Sequence, residues 1–221
     1  MPYRVFLSKF DFMEAAIENA ELKPEDVIIV TDSDTIFTGV DLNPFLDRFI
    51  AQSAATPEEL DALAVRQGRA MAPVLFSGDP GCWASNIFES ATKCRRHFGG
   101  LRKRIRRYAA AHPEHEIALS FDSTLQRYVN SGTMIARVWA YKEFLQQKNE
   151  LTKTQIPPFS VEKGWDCDQS VYTALFLDLI TWEVEQDVLS MPVLKQQVAR
   201  SPYGGRAGFY EIDYSNMLAG V

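Results

Sequence analysis

Apolar residues along this chain recur at a helical period in some stretches and cluster in short β-branched runs in others. Val5, Phe6, Phe10, Met13 and Ile17 fall on one face at helical spacing, and Pro2 and Lys23-Pro24 bound a first helix that turns this face inward. Asp26-Val-Ile-Ile-Val-Thr31 then reads as a strand covered on both faces by helices, because the run shows no polar alternation. Helices are expected from about Asn43 to Ser53 and from about Pro57 to Met71, the second opened by Thr56 as cap, Pro57 at the first position and Glu58-Glu59 in the first turn. Pro73-Val-Leu-Phe-Ser77 predicts a second strand. Phe98, Leu101, Ile105 and Tyr108 give the apolar face of a further helix. Tyr128-Val129 and Met134-Ile135-Ala136 bracket Asn130-Ser131-Gly132, which predicts a strand, a turn and another strand. A helix follows from about Trp139 to Glu150. Asp168-Gln169 opens the next, with Tyr172, Leu175, Phe176 and Leu179 inward. The tail holds strand-like pieces near Val188 and at Tyr210-Glu-Ile212, parted by Ser201-Pro-Tyr-Gly-Gly205, expected as a mobile loop. Strands mixed with helices predict the α/β class, and without a repeat or a linker residues 1–221 read as one domain.

Composition narrows the class without changing it. With 46% hydrophobic and 24% charged residues in 221, the chain is neither disordered, collagenous nor coiled-coil. Its longest apolar runs, such as Val27 to Val30, fall far below the ~20 residues of a membrane span, and no secretory leader is evident. The net charge of −6 hides an asymmetry. Eight basic residues and no acid lie between Lys93 and Arg107, which leaves fifteen basic against twenty-nine acidic residues elsewhere. Such a run is either the solvated side of a helix or the mark of an anionic partner. Nucleic acid is not expected, because Phe98 and Tyr108 face the core and leave no stacking platform. Cys82, Cys94 and Cys167 lack metal-like spacing and are odd in number, so reduced thiols are expected.

Four short motifs could carry chemistry. Asp32-Ser33-Asp34 follows the β-branched strand, where open α/β sheets bind ligands, and two carboxylates there suit a hard divalent cation that would hold a diphosphate. The alternative is a capped turn. Asp166 and Asp168 precede the Tyr172 helix, either as ordinary cap and dipole charges or as groups that hydrogen-bond a sugar or act as a base. Asn130-Ser131-Gly132 is a turn, or a close backbone approach with donors and acceptors for a hydroxylated ligand. Trp83, on the turn-rich loop Gly78-Asp-Pro-Gly-Cys-Trp83, could stack on a ring or cover the core.

Taken in order, Val27-Ile-Ile-Val-Thr-Asp-Ser-Asp-Thr-Ile-Phe-Thr-Gly39, Val74-Leu-Phe-Ser77 with Cys82-Trp83, Tyr128-Val-Asn-Ser-Gly132, and Asp166-Cys-Asp-Gln169 with Tyr172-Thr173 resemble the glycosyltransferase domain of the collagen lysyl hydroxylases, over about Tyr3 to Ala219. The resemblance implies a GT-A type fold: a mixed, mainly parallel sheet flanked by helices. It also implies transfer of a hexose from a UDP-sugar to a hydroxyl acceptor, hydroxylysine-linked or on another protein or glycan, with Mn²⁺ (or Mg²⁺) as cofactor and the secretory pathway as setting. By motif position Asp34 would ligate the metal. Asp32 would share that role or hold the ribose. Asn130, Ser131, Gly132 and Gln169 would line the sugar site, Asp166 and Asp168 would be the catalytic carboxylates, and Trp83 would lie beside the donor. The family spaces its aspartates Asp-x-x-Asp, whereas this chain has Asp-x-Asp, and Cys167 replaces an Asp of the acidic run. Such domains also begin with nucleotide-binding strands and take a late His as ligand. Here one helix precedes the first strand and no His follows His115. A unit incomplete at both ends is therefore expected, with an inactive glycosyltransferase-like binding module as the alternative to an enzyme.

Overall fold

A computed structural model describes residues 5–33, 35–36, 39, 41–63, 65–84, 87–88, 90–114, 117, 124–153, 165–186 and 200–213. Strands β1 (Val27–Thr31), β2 (Val74–Asp79), β3 (Tyr128–Arg137) and β4 (Tyr210–Asp213) form one sheet in the order β1-β3-β2-β4. Helices α1 (Ser8–Asn19), α2 (Asn43–Gln52), α3 (Pro57–Leu60), α4 (Ala91–Ala111), α5 (Val138–Thr152) and α6 (Asp168–Glu185) flank it. The α/β class holds, and the sheet is mixed. It is not mainly parallel: β3 runs antiparallel to both β1 and β2, and β2 with β4 is the one parallel pair among the described strands. Asp79 at the end of β2 pairs with Tyr128 at the start of β3, so the chain leaving α4 returns to that end of the sheet before it enters β3.

The sheet separates two apolar clusters. On one face Phe45 and Phe49 of α2 pack with Leu75 and Ile135; on the other, Val74, Phe76 and Met134 meet α1, α4, α5 and α6. Tyr172 sits at the middle of the larger cluster, its ring 5.4 Å from Phe10, 5.2 Å from Phe76 and 5.0 Å from Phe144. Tyr172, Leu175, Phe176 and Leu179 are all buried, as the helical spacing requires, and so are Phe98, Leu101 and Ile105 of α4.

Several expectations are corrected. The strand buried throughout is β2, not β1. The faces of β1 do reach both clusters, but its place at the end of the sheet leaves only Val30 fully buried. Asn130-Ser131-Gly132 is no turn; it lies inside the continuous strand β3, opposite a register shift between Phe76 and Gly78. The helix begun by Thr56, whose hydroxyl accepts from the Glu59 N–H at 3.2 Å, stops at Leu60 instead of running to Met71. Gly68 at φ +69° and the capture of Arg66 by buried Glu183 hold that segment out of helical form. Phe6 of the proposed inward face is 61% exposed. Cys82 and Cys94 form a disulfide, with Cys167 outside it. An odd count leaves one thiol over but does not prevent two others from meeting. Ser201–Gly205 forms a tight turn in which Ser201 N–H donates to the Gly205 carbonyl at 2.9 Å and buried Ser201 Oγ accepts from Gly205 N–H at 3.1 Å. The piece near Val188 lies outside the described residues, whereas Tyr210-Glu-Ile212 is β4. No helix among the described residues is long and apolar enough to cross a membrane.

Candidate functional site

Beyond the last residue of β1, the chain, β3 and the start of α6 meet around one cation, Lys9. Buried Phe10 and Ile17 fix α1 against the core, and this orientation carries Lys9 to the carboxyl end of β1. Its Nζ lies 2.5 Å from Asp32 Oδ1 and 2.6 Å from Asp168 Oδ2, and donates to the Ser131 carbonyl at 2.9 Å. Asp168 is buried, while the Asp32 side chain is 41% exposed. Burial opposes the charge on Lys9, but the attraction of and hydrogen bonds to Asp168 and then Asp32 outweigh it, and the ammonium pKa is raised. Two carboxylates against one ammonium leave the cluster formally anionic. Beneath Asp168, the hydroxyls of Tyr141 and Tyr172 adjoin in the core, and burial pushes both phenols up, so both are neutral.

Backbone pairing sets the rest of the geometry. Asp32 N–H donates to the Gly132 carbonyl at 2.8 Å, continuing the β1–β3 ladder past Thr31. A Cβ on Gly132 would lie 2.8 Å from Asn130 Oδ1 and 3.3 Å from Asp32 Oδ2, so glycine at this position lets the two side chains close over the strand. Asn130 is held inside the scaffold: its amide donates to Asp79 Oδ2 at 3.2 Å, and its Oδ1 accepts from Gly132 N–H at 2.6 Å and Ser77 Oγ at 3.2 Å. Gln169 Nε2 donates to the Val129 carbonyl at 2.9 Å, and its Oε1 faces Ser131 Oγ at 3.5 Å. Cys167, not Asp168, is the N-cap of α6; Asp168 is its first helical residue, with Oδ1 accepting from Gln169 N–H at 2.8 Å.

Asp32, Ser131, Gly132, Asp168 and Gln169 thus gather at one place. Asn130 supports them from below. Asp166 is exposed ahead of α6, and Trp83 is 64% exposed on the loop after β2, over Gly81. Asp79 ties that loop to the site, because its Oδ1 accepts from Gly81 N–H at 2.6 Å while its Oδ2 holds Asn130. Asp34 lies outside the described residues. Lys9 and Asp79 were not among the candidates. Lys9 had a signal, being the one cation in Ser8–Asn19 and adjacent to a core phenylalanine.

The donors around Lys9 are of the kind a hard divalent cation takes: two carboxylate oxygens and a carbonyl oxygen converge on a single point. The Lys9 ammonium holds that point. Among the described residues no three His, Cys, Asp or Glu side chains come together to grip an ion. Lys9 covers Asp32 Oδ1 and leaves Asp32 Oδ2 uncovered. Comparison of the chain with protein-family models, with curated proteins and with solved structures finds no match to any of them.

Proposed function

We propose that the Lys9 cluster binds the sugar diphosphate of a UDP-sugar and transfers the hexose to a hydroxyl of a protein or glycan. The observation that carries this reading is the convergence of Asp32, Ser131 and Asp168, from three separate segments, on one ammonium at the carboxyl end of β1, with Gln169 beside the Ser131 hydroxyl. Asp168, paired with Lys9, accepts hydrogen bonds from sugar hydroxyls. Gln169 and the Ser131 hydroxyl fix the orientation of the ring. Lys9 supplies positive charge where the diphosphate leaves. In the transfer the acceptor oxygen bonds the anomeric carbon as the carbon–oxygen bond to the diphosphate breaks, and the acceptor proton leaves with the diphosphate. Mn²⁺ or Mg²⁺ at Asp32, together with Asp34 by motif position, would add charge neutralisation of the leaving group.

Calorimetric titration with a panel of UDP-hexoses in the presence of Mn²⁺ tests this. Binding should weaken by about tenfold or more in Asp32→Asn, as expected for loss of a charged contact. Unchanged affinity in that variant defeats the reading. The seating of Lys9 between the two carboxylates also supports an inactive binding module, because the cation position is already filled. Release of free hexose or UDP over time at any Mn²⁺ concentration rules out the module.

A further inference from the structure

The solvent side of α4 is not needed by the site above. Cys94, Phe98, Leu101 and Ile105 sink one face of this 21-residue helix into the core, so the eight basic residues from Lys93 to Arg107 crowd the remainder. Arg102 and Arg106, Lys103 and Arg107, and Lys103 and Arg106 are like-charged neighbours at three- and four-residue spacing, which weakens a helix. Gly99-Gly100 in its middle weakens it further. Packing does not require glycine at 100: a Cβ there would meet no atom within 4 Å. What the glycine keeps open is a groove of about 440 Å³ lined by Phe88, Lys93, Arg96, His97, Gly100 and Arg104. The Cys82–Cys94 disulfide ties the loop carrying Phe88 to the first turn of α4, and Phe88 packs on His97 with ring centres 5.3 Å apart.

From this geometry we infer that the α4 groove is a binding site for a sulfated glycan chain. Its cations run from Lys93 to Arg104, about 16 Å at the helical rise, more than a single oxyanion spans. Its floor is open at Gly100, where a Cβ would meet no atom within 4 Å. The aromatic residues beside it are spent on the protein itself: Phe98 is buried, Phe88 packs on His97 and Tyr108 on His112, so single-stranded nucleic acid finds no platform. Arg104 of the lining pairs with Glu185 at 3.2 Å.

The test is binding of a size-defined heparin octasaccharide to the intact protein, read by calorimetry across a salt series. Affinity should fall linearly with the logarithm of salt concentration, and Lys93→Glu with Arg96→Glu should weaken it by about tenfold or more and flatten the slope. Gly100→Leu should weaken binding while leaving the melting temperature at or above that of the parent, and Asp32→Asn should leave it unchanged. The proposal is overturned by absence of binding at low salt, by equal affinity in the charge-reversed protein, or by tighter binding of a DNA duplex or of phosphatidylserine vesicles.

Discussion

At the scale of the residue, Lys9 is the group on which the site depends. Its side chain is 17% exposed and faces one carboxylate that is almost wholly buried and another that reaches water. Removing the ammonium strands Asp168 without a counter-charge, the situation in which a buried pair becomes most destabilising. Lys9→Met should therefore lower the unfolding free energy by about 3 kcal/mol, at the lower end of the range because Asp32 keeps its hydration. Adding Asp168→Asn should recover most of that loss. Urea unfolding of both single variants and the double closes the cycle, and additive losses would show that the two groups do not interact. Asp32 and Asp168 were legible as candidates from their positions beside a strand and a helix start. The ammonium between them was not, because it comes from a helix whose periodicity identifies only its apolar face.

At the scale of the element, α6 joins the site to the tail. Its first residue, Asp168, belongs to the Lys9 cluster, and nearly three turns on, Asp178 faces the Ser201–Gly205 turn. Burial raises the Asp178 pKa above its ordinary 3.8, against the opposing effect of hydrogen bonds from Ser201 and the Tyr203 backbone. Its Oδ2 is buried and meets no hydrogen-bond partner among the described residues. The folded state therefore binds this proton more tightly than the unfolded chain, and stability falls as pH rises from 3.8 through the raised value. Asp178→Asn should gain melting temperature relative to the parent over that rise and match it most closely at the acid end; parallel profiles would refute the assignment. β3 shows the opposite limit of element-level reading. Asn130-Ser131-Gly132 looks like a turn because its residues are turn formers, yet Ser77, Asp79 and the Asp32 backbone satisfy their polar groups and hold the segment extended.

At the scale of the whole molecule, buried ionic anchors tie distant segments to the sheet. Arg66 grips Glu183 through Nε at 2.7 Å and Nη2 at 3.0 Å and donates from Nη1 to the Tyr210 carbonyl at 2.9 Å, while Glu183 Oε1 accepts from Gly208 N–H at 2.6 Å. This joins the segment after α3 to α6 and β4. Arg66→Met should cost about 3–5 kcal/mol, since buried Glu183 would lose its partner. An unchanged urea midpoint would show the pair to be dispensable. On the opposite face Arg137 donates to the carbonyls of Glu25 at 2.7 Å and Ile50 at 2.6 Å, fixing the end of α2 beside β1. The sequence by itself determined the α/β class, the spans of α2 and α5, the start of α6, and the apolar faces of α4 and α6, because each follows from local periodicity and capping. It also marked Asp32, Asp168 and Gln169 as polar residues beside element ends. Only the tertiary structure decided the antiparallel direction of β3, the truncation of α3, the Cys82–Cys94 bridge and the arrival of Lys9 between two carboxylates. Each of these depends on groups far apart in the chain whose meeting no local pattern encodes.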